Sequence, residues 1–189
     1  MFIRYAYDEI DMFAINQAPT PAHVFGTDDL GRDIFTRCWM GARVSLLIAV
    51  VVALLNGTIG LLYGGIAGYF GGAADNIMMR FCELIASIPQ MLWVVLLILI
   101  MKPGVFPIII AIAVTGWIGM ARFIRNQILI IRDRDYNIAS RCLGTSTWRI
   151  IVKNLLPYLV SVIMLRVALS IPGAIGSEVF ITYIGLGLP

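Results

Sequence analysis

The segment "VSLLIAVVVALLNGTIGLLYGGIAGYF", residues 44–70, contains no charged side chain and decides the fold class. As an α-helix rising about 1.5 Å per residue, it is longer than the roughly 30 Å of a bilayer's hydrocarbon core. A helix that is apolar on every side is typical of a membrane span. We therefore predict that residues 44–70 cross a membrane.

The composition of the whole chain also favours a membrane protein. Of 189 residues, 60% are hydrophobic and 13% are charged, and the mean hydropathy is +0.90. A single soluble core does not need so much apolar sequence. Three further apolar runs follow, at residues 84–101, 105–121 and 158–183. The prediction is an all-α polytopic membrane protein with about four transmembrane helices.

The distribution of charge predicts the orientation of these spans. Residues 1–43 are too polar to cross a membrane and carry six acidic side chains. The segment 122–157 contains seven basic residues: Arg122, Arg125, Arg132, Arg134, Arg141, Arg149 and Lys153. Loops rich in Lys and Arg face the cytoplasm. We predict an external polar segment at 1–43, a transmembrane domain at 44–189 and a cytoplasmic loop at 122–157. The net charge of +3 is small, and the basic residues lie near span ends, so no nucleic-acid partner is expected.

A ridge of small residues lies on one face of the first predicted span. Gly60, Gly64 and Gly68 are spaced four residues apart, and Gly72 follows at its end. Glycines at this spacing let another helix backbone approach closely. Structural packing is the simpler interpretation of this ridge, and a moving interface in a transport cycle would use the same surface.

Two charges fall within the last predicted span. Arg166 lies near its middle and Glu178 approaches its outer end. Charged groups at these depths are costly in lipid and normally face protein or a water-filled cavity. Each is therefore a candidate for the solute pathway, and a structural partner on another helix or chain is the alternative for Arg166.

No residue pattern indicates catalysis or metal binding. His23 has no second histidine or cysteine nearby, so we expect a surface residue. The three cysteines, Cys38, Cys82 and Cys142, are widely spaced and predict neither a disulfide nor a metal site. We find no nucleophile elbow, Walker lysine or carboxylate pair. The chain is not expected to be an enzyme or to hold a cofactor.

The polar segment "RDYNIASRCLGTSTWRIIVKNLLP", residues 134–157, interrupts the apolar sequence. We predict a short helix, a turn at Gly144, a hydroxyl cap from residues 145–147, and a second helix that Pro157 stops. Its apolar groups would be poorly placed in water. A docking surface for a soluble partner would explain them, and a solvated loop with an interfacial helix is the alternative.

The spacing in this segment resembles the "EAA" loop of bacterial ABC-importer permeases, E-A-A-x3-G-x9-I-x-L-P. Ala139 and Ser140 stand at the two alanine positions. Gly144 stands at the glycine, and Leu156 and Pro157 form the closing pair.

Two positions depart from that motif, because Ile138 replaces its glutamate and Asn154 its isoleucine. Three other stretches resemble the second permease subunit of dipeptide, oligopeptide and nickel importers. They are "FGTDDLGRDIFTRCWMGARVSLL" (25–47), "GYFGGAADNIMMR" (68–80) and "YIGLGLP" (183–189). The matches cover nearly the whole chain from His23 onward.

The resemblance implies a type I importer permease in a bacterial inner membrane. It implies a second homologous permease, two ATPase subunits, an external solute-binding protein and contact with membrane lipid. The short helix would rest in a groove of the ATPase, a role implied for Tyr136, Ala139, Ser140, Gly144, Trp148, Leu156 and Pro157. The implied solutes are di- or oligopeptides, with nickel as the alternative. Residues 26–33 would pack against the partner permease or face the binding protein.

Members of this family ordinarily have one more span at each end, so we expect a chain that is incomplete at both ends. Two other functional classes remain open. A truncated membrane scaffold would use the loop only to bind a partner. A secondary transporter would need paired, interrupted spans in two related halves, and four spans do not provide them.

Overall fold

The computed structural model describes residues 4–102 and 104–187. Its seven α-helices are α1 (Ile34–Phe70), α2 (Gly72–Ala86), α3 (Gln90–Met101), α4 (Val105–Arg132), α5 (Asp135–Cys142), α6 (Thr147–Ile150) and α7 (Leu156–Ile181). Two π-helical turns, Ile151–Leu155 and Thr182–Leu186, extend α7 at both ends. The chain divides into two compact units, residues 1–47 and 48–189.

Three helical segments are long and apolar enough to cross a membrane: Ile34–Phe70, Val105–Arg132 and Thr147–Leu186. The predicted span at 84–101 is different, because α2 and α3 meet at a bend of 72°. Pro89 lies at the break, where it donates no N–H and disfavours a helical conformation at the residue before it. At 15 and 12 residues, neither helix alone is long enough. The described residues therefore contain three candidate spans formed by single helical segments and one bent pair of helices.

The two later predicted spans are longer than expected. Helix α4 continues past Ala121 to Arg132. The prediction that Pro157 stops a helix is wrong, because the helical segment Thr147–Leu186 continues through it. Pro157 lies in the first turn of α7, where its missing N–H is tolerated, and the π-helical turn Ile151–Leu155 precedes it.

Helix α4 is the centre of the second unit. Its most apolar window is 56% buried, against 11% for the helix Thr147–Leu186. Ile124, Ile128 and Ile131 pack with Leu155 and Leu159 from the last helix. Because the last helix leaves many of its apolar side chains exposed, it has a large surface available for lipid or a partner chain.

Residues 26–33, "GTDDLGRD", form a tightly bonded turn that ends at the start of α1. The Asp28 carboxylate accepts hydrogen bonds from the backbone N–H groups of Leu30 and Arg32, at 3.0 and 2.9 Å. Gly26 and Gly31 both have a φ of 75°, and a Cβ on Gly31 would lie 2.7 Å from the Asp11 carbonyl carbon. The glycines and aspartates of this stretch thus have a local structural role.

His23 is buried in the first unit, so the prediction of a surface residue is wrong. Its Nδ1 lies 3.0 Å from Asp33 Oδ1, and the Tyr5 ring stacks on the imidazole at 4.7 Å. Asp33 also accepts a 2.8 Å hydrogen bond from the Thr36 backbone N–H, which satisfies a free donor in the first turn of α1. Burial raises the pKa of the Asp33 carboxyl, but hydrogen bonds from Thr36 and His23 outweigh it, so the pKa lies below its ordinary value.

We predict that this turn loosens in acid. The pKa of Asp28 is also lowered, because the hydrogen bonds from Arg32 and Leu30 outweigh partial burial, which raises it. Carboxylates with a lowered pKa stabilise the fold above their ordinary pKa of 3.8, and that contribution is lost as the pH falls through the lowered value. A spin label on the exposed Asp29 should become mobile only below about pH 4. Changing Asp28 and Asp33 to Asn should abolish the pH dependence, and a pH dependence that survives both changes would contradict this assignment.

Candidate functional site: the α5 surface and a membrane cavity

Helix α5, the turn after it and the start of α6 expose apolar side chains. Tyr136 and Ile138 are about half exposed, while Leu143 and Trp148 are 86% and 73% exposed. Ala139 is exposed beside them. An apolar patch on a short polar helix is typical of a protein contact. We call these five residues the α5 surface.

The other predicted coupling residues support this surface or lie apart from it. Ser140 is half-buried, and its hydroxyl donates a 2.8 Å hydrogen bond to the Tyr136 carbonyl. Gly144 has a φ of 75°, the left-handed conformation expected where a helix ends at glycine. Leu156 and Pro157 stand at the beginning of α7, beyond the π-helical turn.

The predicted hydroxyl cap does not form. Ser146 is the N-cap residue of α6, but its side chain makes no capping hydrogen bond. Its carbonyl accepts the Ile150 N–H at 3.1 Å. The second helix therefore begins without the side-chain cap that "TST" suggests.

A buried amide pair fastens α5 to the rest of the unit. The Asn137 side chain is fully buried, and its Nδ2 donates to the Ile131 carbonyl at 2.8 Å. Asn154 donates from its own Nδ2 to Asn137 Oδ1 at 2.9 Å and lies 3.4 Å from the Ser140 hydroxyl. The asparagine that departs from the family motif thus connects α5 to the π-helical turn before α7. The sequence gives no sign of this pairing, because Asn137 and Asn154 are seventeen residues apart.

We predict that Asn154→Ile, which restores the residue of the family motif, destabilises this chain. Isoleucine cannot donate to Asn137 Oδ1, and a buried acceptor without a donor costs about 1–3 kcal/mol. Lys153→Ile, at the exposed neighbouring position, is the matched control and should change stability by less than about 0.5 kcal/mol. Unfolding in detergent measures both variants. Equal stability of the two would show that the amide pair contributes nothing.

Arginines connect α5 to the end of α1. Arg132 Nη1 donates to the Gly68 carbonyl at 3.0 Å, which satisfies a free acceptor in the last turn of α1. Arg141 donates to the Arg132 carbonyl at 3.1 Å and lies 5.7 Å from the centre of the Tyr69 ring. The hydrogen bond from Arg132 also lowers the pKa of Asp133, between α4 and α5. Helix α5 is therefore attached to the adjoining ends of three long helices.

The glycine ridge lies against α4. A Cβ on Gly64 would lie 2.9 Å from the carbonyl carbon of Ala121, and one on Gly68 would lie 2.9 Å from the Arg125 carbonyl oxygen. A Cβ on Gly60 would lie 3.0 Å from the Ala121 nitrogen. The three glycines thus allow α1 and α4 to pack backbone against backbone.

A charge pair joins α2 to the same part of α4. Asp75 is buried in the first turn of α2, and Arg125 Nε donates to its carboxylate at 2.6 Å. A second guanidinium nitrogen of Arg125 reaches the other carboxylate oxygen. A bidentate pair of this kind fixes the relative orientation of two helices.

The two charges predicted in the last span lie in different surroundings. Arg166 lines a cavity of about 220 Å³ between α1, α4 and α7, together with Asn56 and Ser170. Its guanidinium lies 5.3 Å from the centre of the Phe123 ring. Glu178 is buried and accepts a 3.1 Å hydrogen bond from Thr182. The structure therefore does not bring Arg166 and Glu178 into one site.

Comparison with known proteins identifies the family. Residues 60–189 match the family model described as the binding-protein-dependent transport system inner membrane component. The chain is 49% identical to the dipeptide transport system permease protein DppC of Bacillus subtilis, over 92% of this chain and 54% of that protein. It is 43% identical to the oligopeptide transport system permease protein OppC of the same organism, over all of this chain and 62% of OppC.

A third relative, the oligopeptide transport system permease protein AmiD of Streptococcus pneumoniae, is 40% identical over all of this chain and 62% of its own length. The chain thus spans 54% to 62% of the length of these three relatives. The predicted resemblance to an importer permease is confirmed. The chain belongs to the family of binding-protein-dependent transport system inner membrane components.

Proposed function

We propose that this chain is a permease subunit of an ATP-driven peptide importer and forms half of the solute pathway. The names of three relatives, all of them peptide-transport permeases, favour peptides over nickel. In this proposal the chain catalyses no reaction itself, because two partner ATPases hydrolyse the ATP. A second homologous permease completes the pathway, and an external binding protein delivers the peptide.

The observation that carries the proposal is the α5 surface on its rigid support. Exposed Leu143 and Trp148 offer apolar contact area, while the buried Asn137 prevents α5 from moving by itself. A partner that displaced α5 would therefore also pull on α4 and on the helix Thr147–Leu186. Such coupled movement is what an ATPase needs in order to drive the opening of a pathway.

Arg132 and Arg141 extend the same connection to α1. They join the end of α4 and helix α5 to Gly68 and Tyr69. The glycine ridge then carries contact between α1 and α4 deeper into the unit. The proposal thus has a continuous path of hydrogen bonds and packed backbone from the α5 surface to the spans.

Co-purification tests the proposal. The tagged chain is produced together with its partner permease and the ATPase subunits, and the complex is isolated in detergent. We expect the ATPase subunits to remain bound to the permease pair. Their absence from a pair that is itself intact would contradict the coupling role.

The proposal also predicts that the two polar segments, residues 1–43 and 122–157, face opposite sides of the membrane. In a chain lacking Cys38, Cys82 and Cys142, a cysteine placed at Thr147 should react only from the cytoplasmic side. A cysteine placed at Asp28 should react only from the outside. Both positions border exposed residues, so access to the reagent does not limit labelling. Labelling of both from one side of intact cells would contradict the orientation and the number of crossings between them.

A further inference from the structure

We propose that the cavity beside Arg166 binds the terminal carboxylate of the transported peptide. This inference rests on the proposed function and names the part of the peptide that the pathway recognises. The cavity is lined by Arg166 and Ser170 from α7, Asn56 from α1, and three glycines, Gly57, Gly116 and Gly119. All belong to the second unit.

Arg166 supplies a positive charge at a depth where charge is costly. It lies ten residues after Leu156, or about 15 Å along α7, near the middle of a roughly 30 Å hydrocarbon core. Its side chain is exposed, and within residues 4–102 and 104–187 no carboxylate lies at ion-pair distance from it. Its contact with Phe123 is a cation–π contact, which leaves guanidinium N–H groups without an anion. An intramembrane arginine of this kind is typical of a ligand pathway.

Asn56 supplies the second half of the recognition. Its Oδ1 is shut off from solvent and has no hydrogen-bond donor in the described part of the chain. A buried acceptor without a donor is costly. Because Oδ1 is closed to solvent, a ligand N–H can reach it only if the Asn56 side chain turns toward the cavity, and the hydrogen bond formed there would favour that turn. Ser170 donates to the Val167 carbonyl at 2.7 Å, and its oxygen can still accept a hydrogen bond.

A peptide's last residue carries the matching groups side by side. Its carboxylate suits the planar, bidentate guanidinium of Arg166, and its backbone N–H suits Asn56 Oδ1. A fatty acid or a lipid headgroup offers the anion without an adjacent backbone N–H. The cavity of about 220 Å³ is smaller than the roughly 300–1,000 Å³ of a complete ligand pocket. It is therefore a subsite for one end of the peptide, on one half of the pathway.

The glycines explain why the recess exists. Gly119 has open space where a Cβ would stand. A Cβ on Gly116 would lie 3.0 Å from the Asn56 side-chain amide carbon, and one on Gly57 would lie 3.0 Å from a methyl of Val167. Larger residues at these positions would fill the recess or displace the groups that line it.

The test compares two peptides that differ only at the carboxyl end. Uptake of alanyl-alanine and of alanyl-alaninamide is measured in proteoliposomes that contain the complete transporter, at peptide concentrations that saturate the binding protein. We expect Arg166→Gln to lower uptake of the free carboxylate about tenfold, because it removes a hydrogen-bonded charge pair, and to leave uptake of the amide within about twofold. Arg166→Lys, which keeps the charge without the bidentate fork, should give an intermediate preference. Arg80→Gln, an exposed arginine on α2, is the matched control and should behave as the wild type.

Other outcomes would overturn either the carboxylate subsite or the proposed function, and the experiment distinguishes the two cases. Equal loss of both peptides with Arg166→Gln, or no loss of either, would overturn the carboxylate subsite while the proposed function stands. The same measurement in vesicles of neutral lipid identifies a lipid role, because an effect of Arg166→Gln that requires anionic lipid would also overturn the subsite. If the wild-type complex takes up neither peptide with ATP, the proposed function itself fails. Should Arg166→Gln not assemble, the same comparison with Arg166→Lys decides between these outcomes.

Discussion

Gly64→Ala should destabilise the second unit sharply, although it adds a single methyl group. The new Cβ would lie 2.9 and 3.0 Å from the carbonyl carbon and the Cα of Ala121, and closer still to the carbonyl oxygen. The obstacle is backbone, which cannot rotate away as a side chain can. Overpacking of this kind costs about 1–3 kcal/mol, and we expect the upper end of that range. Gly64→Leu should prevent α1 and α4 from packing at all.

Gly65→Ala is the matched control for this prediction. It changes the adjacent residue of the same helix, but the nearest atom to its Cβ is a flexible Ile128 methyl at 4.0 Å. Gly65→Ala should therefore keep or slightly raise helix stability. The yield of folded chain in detergent and its unfolding temperature measure both variants. If the two variants unfold alike, the close approach of α1 and α4 is incorrect.

Ala139→Trp should release the ATPase subunits from an otherwise intact permease. Ala139 is exposed, so the bulky ring disturbs no buried contact within the chain and changes only what can approach the α5 surface. We expect the amount of co-purified ATPase to fall at least tenfold, since an added indole at the centre of a contact costs more than about 1.4 kcal/mol. Ala139→Ser, a small polar residue at the same position, should retain the ATPase.

Gly144 provides an independent variant at the same surface. A Cβ there would meet no atom within 4 Å, but the φ of 75° disfavours a β-branched side chain. Gly144→Val should therefore displace Leu143 and weaken ATPase binding, whereas Gly144→Asn, which tolerates this conformation, should bind nearly as well. Full ATPase retention with both Ala139→Trp and Gly144→Val, at normal membrane abundance, would leave the segment as an ordinary loop.

The membrane-spanning parts of the fold were predictable because composition alone decides them. Residues 44–70 and 105–121 have no alternative to burial in lipid or protein, and both lie within long helices of the structure. The break at Pro89 was harder to predict, because a proline is tolerated in the first turn of a helix but kinks or breaks a helix interior. The continuation of the last helix through Pro157 depends on the π-helical turn before it, which no local sequence signal indicates.

The candidate site was predictable where a residue's own conformation decides its role, and not where tertiary contacts do. Gly144 ends a helix by its positive φ, which the sequence pattern indicates. Asn137 and His23 are different, because both are buried only through partners that lie elsewhere in the chain, Asn154 and Asp33. A polar side chain without an evident sequence partner is assigned to the surface by default, and this default gave the wrong prediction for His23.

ATP-driven peptide uptake tests the central claim most directly. The complete transporter is reconstituted with the wild-type chain, with Ala139→Trp or with Ala139→Ser, and uptake of alanyl-alanine is followed with and without ATP. The account predicts uptake that requires ATP for the wild type and for Ala139→Ser, and uptake at the ATP-free level for Ala139→Trp. ATP-driven uptake by Ala139→Trp at the wild-type rate would contradict the claim that the α5 surface couples this chain to the ATPase.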